Sequence, residues 1–148
     1  MRHELTRILP YRPEQLFELV GDVEQYPKFV PWISALRVWN RRETAPGITS
    51  LDAEASVGFS FLRERFSTRV VRDANTRTIT VSLLSGPFRK LHNRWRFEEH
   101  PTGTAVHFEI DFEFKIRMLD RLLDANFDHA VNRLIGCFDE RARALYGP

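Results

Sequence analysis

The sequence predicts an α+β domain in which a curved, seven-stranded antiparallel sheet wraps around one long C-terminal helix. Three observations predict it. Most of the chain from residue 51 to residue 114 alternates apolar and polar side chains, the signature of strands with one buried face. Residues 117 to 145 carry an apolar stripe at 3.6-residue spacing. The alternating segments are joined by short connections, so successive strands are antiparallel neighbours. A sheet and a helix that are each apolar on one side bury those sides on each other.

In chain order, "HELTRIL" is the first strand. Pro13 opens a short helix carrying Leu16, Phe17 and Val20, and Gly21 stops it. In "LVGDVEQYPKFVPW", Asp22 and Gln25 have the spacing of a capping box, which starts a second, very short helix. Pro27 and Pro31 forbid its continuation, and Tyr26, Phe29 and Trp32 recur every third residue. "ISALRVWNR" is a strand by composition, ended by the "ETAPG" loop. "SLDAEASVGFSF" turns Leu51, Ala53, Ala55, Val57, Phe59 and Phe61 to one face. "RERFSTRVV" turns Phe66, Thr68 and Val70 inward, and "TITVSLL" turns Ile79, Val81 and Leu83 inward. "LHNRWRFEE" and "TAVHFEIDFEFK" flank the turn "HPTG", which sets Trp95 against Phe108 inside, and Arg94 against Glu109 and His92 against Asp111 outside. The final helix reads as one element from 117 to 145, with Asp120, Asp124 and Asp128 as an acidic line and no good residue to cap its start.

The 148 residues suit a single domain, 1–148, with a core of ordinary size. No apolar run approaches the ~20 residues of a membrane-spanning helix. A single cysteine, Cys137, fits a reducing compartment and allows no internal disulfide. Arginine outnumbers lysine 19 to 3, and between Arg63 and Arg96 nine cations face only Glu64 and Asp73. That segment suits either a solvated sheet face or a surface that meets phosphate, in lipid or in RNA.

Catalytic chemistry is not visible. By parity Asp52, Glu54, Glu109, Asp111 and Glu113 point outward, as do His92 and His107, leaving Thr68 and Asn93 as inward polar groups. No phosphate loop, His-x-x-x-His or cysteine pair occurs, so no catalytic and no metal residues are expected; a pair of His3 and His107 on neighbouring strands is the nearest approach to a metal site. Cys137 lies beside the helical stripe as packing.

"PEQLFELVGDVEQYPKFVPW", then "VGFSFLRERFSTRV", then "SLLSGPFRKLHNRWRF" and the terminal helix resemble the coenzyme Q-binding branch of the START-like (polyketide cyclase/dehydrase-like) helix-grip family. The resemblance covers the whole chain. It rests most on Asp22-Val23, Tyr26-Pro27, Phe29 and Pro31-Trp32, supported by Gly86-Pro87-Phe88 and Trp95. It implies a START/Bet v 1-like helix-grip with two short helices between strands 1 and 2, and an elongated apolar cavity between helix and sheet. The expected lining or entrance is Tyr26, Phe29, Trp32, Phe59, Phe61, Phe66, Val81, Leu83, Phe88, Asn93, Trp95, Phe108, Phe112, Phe127, Val131, Leu134 and Phe138. For any one aromatic taken singly, plain core packing is the ordinary reading.

The resemblance also implies non-catalytic binding of ubiquinone (coenzyme Q) or a related isoprenoid lipid in support of respiration, with no catalytic cofactor. A long polyprenyl tail exceeds one such domain. A relative in the same branch is a ribosome-association toxin that binds the large subunit, so the ribosome stands as the alternative partner. The start at Met1 without a transit peptide points to a bacterial, cytoplasmic protein. Peripheral contact at the inner membrane would use Lys28, Arg89 and Lys90, with Trp32 and Tyr26 suited to the interface. Oligomeric state is open.

Overall fold

The structure is a computed structural model that describes residues 1–59 and 62–147. Seven strands run in the order β1 (Arg2–Leu9), β7 (Gly103–Phe114), β6 (Phe88–His100), β5 (Thr78–Ser85), β4 (Leu62–Asp73), β3 (Ile48–Phe59) and β2 (Ile33–Ala45), all neighbours antiparallel. Helix α1 (Pro13–Gly21) and a 3-10 segment (Val23–Lys28) connect β1 to β2, and α2 (Arg117–Ala125) and α3 (Phe127–Tyr146) close the chain. This is the helix-grip arrangement, with the sheet's inner face toward α3.

The alternation read from the sequence fixes the register. Trp95 pairs with Phe108, Arg94 with Glu109 and His92 with Asp111 across the β6–β7 hairpin. Strand β2 extends through Glu43 to Ala45, so the turn to β3 is only Pro46-Gly47; the longer loop expected there is paired strand with bulges. Two glycines are demanded by close approach. Gly86 adopts φ +149, and a Cβ there would lie 2.5 Å from Cβ of Phe66; Gly103 adopts φ +147 with the Leu9 carbonyl 2.1 Å from the same point. Gly86 therefore lets the β5–β6 turn lie flat against β4.

Helix α1 begins with Pro13 at its first position, where a missing N–H costs nothing, and Gln15 Oε1 accepts a hydrogen bond from Arg12 N at 3.0 Å. It buries Leu16, Phe17, Leu19 and Val20 against one end of the sheet, Phe17 meeting Phe97 edge-on. The expected Asp22 side-chain cap does not form. Gln25 N bonds the Asp22 carbonyl instead, and the turn is 3-10. The single C-terminal helix is also corrected: it breaks at Asn126 (φ −111, ψ 13), whose side chain donates to the Leu122 carbonyl at 2.7 Å. Asparagine competes with helical hydrogen bonds in this way. The break lets Phe127 turn onto His3 and Phe112 while α2 lies on the surface with no fully buried residue. The acidic line is divided accordingly: Asp120 accepts from Phe114 N and Asp124 from His3, relieving the like-charge spacing.

Phe138 joins the layers, its ring meeting Trp95 at 5.5 Å and Tyr26 and Phe29 at 5.4 Å each. On the outer face, Asp52 is buried under Arg69 Nε (2.9 Å) and Asn40 Nδ2 (3.0 Å). Those two bonds hold its carboxyl below the ordinary value against the opposing effect of desolvation.

Two outcomes are expected. Phe138→Ala lowers unfolding free energy by about 3–5 kcal/mol, the usual cost of emptying a buried aromatic site, whereas Leu145→Ala on the exposed side of α3 stays within about 0.5 kcal/mol; urea denaturation measures both. Because the folded pKa of Asp52 is depressed, its contribution is full above the unfolded carboxylate range and is lost as pH falls through the lower folded value. Asp52→Asn therefore lowers the melting temperature by a few degrees near neutral pH, and the difference from wild type closes below about pH 4.

Candidate functional site

The inner face is built by side chains of one parity on each strand: Leu36 and Val38; Leu51, Ala53 and Ala55; Phe66, Thr68 and Val70; Ile79, Val81 and Leu83; Asn93, Trp95 and Phe97; Phe108, Ile110 and Phe112. The structure separates the expected cavity residues into two groups. Phe88, Trp95, Phe108, Phe112, Phe127, Val131 and Phe138 are buried, with Phe112 only 1% exposed. Phe66, Val81, Leu83, Asn93 and Leu134 are half-buried although they face inward. Phe61 and the Phe59 side chain lie outside the described residues.

The half-buried set is one surface. Phe66, Leu83 and Val81 are on adjacent strands, Val81 pairs with Asn93, and Asn93 pairs with Ile110. Leu36 and Val38 extend it on β2; Leu119, Leu123 and Leu134 face the same core from the helices. Leu36, Val38, Leu119 and Leu123 were missed as site residues. Strand parity on "ISALRVWNR" and the i, i+4 spacing of the leucines were the signals available.

Tyr26, Phe29 and Trp32 stand between β2 and α3. Tyr26 and Phe29 meet each other at 5.7 Å, Arg141 lies 5.4 Å over Phe29, and Arg133 lies 5.1 Å over Trp32. The Tyr26 hydroxyl donates to the Val20 carbonyl, and burial, with the Asp22 carboxylate adding to it, pushes the phenol well above its ordinary value. The proline-broken stretch is thus a side wall braced on the helix. Lys28 ends the 3-10 segment beside β2, apart from Arg89 and Lys90 at the start of β6.

Polar groups inside are few. Asn93 Oδ1 is buried and has no hydrogen-bond partner among the described residues. Such an atom costs ~1–3 kcal/mol unless something supplies a donor. The Oδ1 atom accepts, so a ligand hydroxyl satisfies it, whereas a ligand carbonyl pairs only with the Nδ2 amine of the same side chain. Thr68 is buried on β4, opposite Leu83 and separated from Asn93 by β5. His3, taken with His107 as a conceivable metal pair, faces inward instead, pairing across to Ile110, while His107 faces outward opposite Thr6. The His3 ring stacks 3.7 Å from Phe127 and bonds Asp124 at 3.2 Å, tying β1 to the helices. Among the described residues no three His, Cys, Asp or Glu side chains gather as a metal set. The Cys137 thiol is pushed up by burial, then by Glu140, which removes thiolate character.

The outer face carries a polar groove of about 590 Å³ lined by Glu4, Thr6, Arg94, Arg96, His107 and Glu109. Its ion pairs differ from those expected. Arg96 engages Glu98 on its own strand (3.0 Å), Glu109 is held by Arg2 (3.3 Å), and Asp111 by Lys90 (3.2 Å). Arg69 and Arg72, two of the nine cations of the basic middle segment, bond Asp52 and the Thr49 hydroxyl. Cross-strand facing sets proximity, but longer arginines reach diagonal or same-strand partners.

A family model described as polyketide cyclase / dehydrase and lipid transport matches residues 9–139. The ribosome association toxin RatA of Rickettsia prowazekii (strain Madrid E) is 34% identical over 143 residues, spanning 95% of this chain and 94% of that protein. The coenzyme Q-binding protein COQ10 homolog B, mitochondrial, of Xenopus laevis is 28% identical over 146 residues, spanning 96% of this chain and 58% of that protein. The solution structure of the 18 kDa protein CC1736 from Caulobacter crescentus superposes with a TM-score of 0.86 at 55% identity, over 100% of this chain and 99% of that one. No helix among the described residues is long and apolar enough to cross a membrane.

If Asn93 is an unsatisfied group kept for a ligand, Asn93→Leu leaves the ligand-free protein as stable as wild type or more stable, by up to about 1–3 kcal/mol. Urea denaturation of delipidated protein reads this, and a clear loss of stability would show that the amide is satisfied within the fold.

Proposed function

Since the chain belongs to the polyketide cyclase / dehydrase and lipid transport family, we propose that it binds ubiquinone or a related isoprenoid lipid between α3 and the sheet without catalysis. Holding the quinone supports respiratory electron transfer. One observation carries the reading: the unpartnered Asn93 Oδ1 sits within a half-buried apolar wall made by Phe66, Val81, Leu83, Ile110 and Leu134. Apolar surface takes the isoprenoid and the edges of the ring; Asn93 Oδ1 accepts from a hydroxyl of the reduced, quinol head group, and the Asn93 Nδ2 amine is the donor for a quinone carbonyl. The name of the COQ10 relative supports the same ligand class. An enzyme would need an acid or base facing the ligand. His3 is the inward imidazole, and it is occupied by Asp124 and stacked on Phe127.

A second reading has its own observation. The RatA relative is named for ribosome association, and Arg63, Arg65, Arg89 and Arg94 enter no ion pair among the described residues. A ribosome-bound protein would meet RNA phosphate with such a face, and its binding would fall steeply with salt.

The test is organic extraction of gently purified protein followed by mass spectrometry, with Asn93→Leu and Phe66→Asp alongside. The reading expects near-stoichiometric ubiquinone in wild type, loss in Phe66→Asp, and at least roughly tenfold weaker retention in Asn93→Leu, the loss of one buried hydrogen bond. Well-folded wild type that carries no lipid, but sediments with large ribosomal subunits in a salt-sensitive manner, would replace this reading with the second.

A further inference from the structure

At one end of the sheet the chain exposes large apolar side chains. The register brings the start of β4, the β5–β6 turn and the finish of β7 to the same rim, through Gly58 opposite Arg63, Ser67 opposite Ser85 and Phe88 opposite Phe114. Lys115 N bonds the Pro87 carbonyl at 2.9 Å and holds the β7–α2 connection to that turn. Here Leu84, Ile116 and Met118 are 44%, 56% and 65% exposed. Helix α2, which starts at this rim, keeps Leu119, Leu122 and Leu123 only half-buried.

The charges at the rim are distinctive as well. Arg63, Arg65, Arg89, Lys115, Arg117 and Arg121 enter no ion pair among the described residues. Several cations away from the rim are engaged, Arg69 by Asp52, Arg77 by Glu14 and Arg41 by Glu24; Arg12, Arg42 and Arg94 are not ion-paired among the described residues, and the rim differs in gathering six such cations beside exposed apolar side chains. Of the nearby carboxylates, Asp120 is already accepting from Phe114 N. RNA would satisfy the cations and leave Ile116 and Met118 in water. A second copy of the chain would cover the apolar groups and bring like charges together. A bilayer with anionic head groups meets both requirements, because apolar side chains enter the acyl boundary while cations meet lipid phosphate.

We propose that this rim docks on an anionic bilayer surface, with Leu84, Ile116 and Met118 in the head-group layer and the six cations against lipid phosphates. Docking does not depend on what the domain carries. Its use for ligand exchange rests on the lipid-binding reading, because Leu119 and Leu123 of α2 pack half-buried on the apolar core and docking brings this loosely covered end to the membrane.

Delipidated full-length protein is floated with vesicles of phosphatidylcholine alone and of phosphatidylcholine mixed with phosphatidylglycerol. Wild type is expected on the mixed vesicles only, released as salt is raised. Each cation near an anionic leaflet contributes roughly a fivefold factor. Arg117→Glu with Arg121→Glu therefore lowers partitioning by well over tenfold, and Arg12→Glu at the opposite end of the sheet leaves it within about twofold. Ile116→Ser with Met118→Ser weakens binding and leaves its salt dependence in place. All these sites are exposed, and unchanged thermal melts confirm folding. Flotation that is absent, indifferent to anionic lipid or unaffected at the rim overturns the proposal. So does a dimer that the Ile116/Met118 change converts to monomer, or ribosome sedimentation lost only in the arginine variants. Bound quinone is quantified in the same purified protein before delipidation: flotation without quinone removes the carrier reading and leaves docking, and quinone without flotation does the reverse.

Discussion

A single helix cannot cover a seven-stranded concave sheet, and the rest of this structure follows from that mismatch. Six inter-strand spacings of ~4.8 Å make a face about 29 Å wide, against ~10–12 Å for a helix with its side chains. Curvature narrows the gap, and large side chains fill part of it. Two buried aromatic pairs, Trp95 with Phe138 and Phe112 with Phe127, join α3 to strands β6 and β7. Toward β2 the 3-10 segment supplies a brace, with Tyr26 and Phe29 reaching Phe138. What remains is the inner surface of β3, β4 and β5 near the α2 end, where Phe66, Leu83 and Val81 keep part of their area open.

The two ends of the grip are closed differently. At one end α1 inserts Leu16, Phe17, Leu19 and Val20 into the core, all buried. At the other, α2 contributes no fully buried residue and shows its apolar side at half cover. Local opening is easiest where few apolar contacts must be lost, so the grip opens most readily at the α2 end. The break at Asn126 makes that possible, since α2 is free of the register that Phe127 imposes on α3. The unpartnered Asn93 oxygen lies behind this loosely covered end. Conflicts of this kind between local cost and fold concentrate where a protein does its work.

Strand parity made much of this legible beforehand. The pairings Trp95–Phe108 and Arg94–Glu109 follow from alternation plus a four-residue turn, and both are present. The three-residue recurrence of Tyr26, Phe29 and Trp32 marked a segment with one apolar side, and two of its rings meet Phe138. Which inward residues are closed and which stay open was not legible, because Phe112 and Phe66 share residue type and orientation. Their difference comes from what α3 happens to cover. The inward turn of His3 was hidden by its polar label; as a flat ring it stacks on Phe127 as an aromatic would. The arginine partners were missed because long side chains reach past the residue directly opposite.

The claim that the sheet's uncovered inner surface is a ligand wall is tested most directly by titrating isotopically labelled, delipidated protein with a short-chain ubiquinone and following side-chain methyl and amide resonances. The account predicts saturable shifts at Val81, Leu83, Leu134 and the Asn93 side-chain amide, with the resonances of Glu4, Arg94 and Glu109 in the outer groove unmoved. Shifts confined to the outer groove, or none as the quinone reaches its solubility limit, would contradict it.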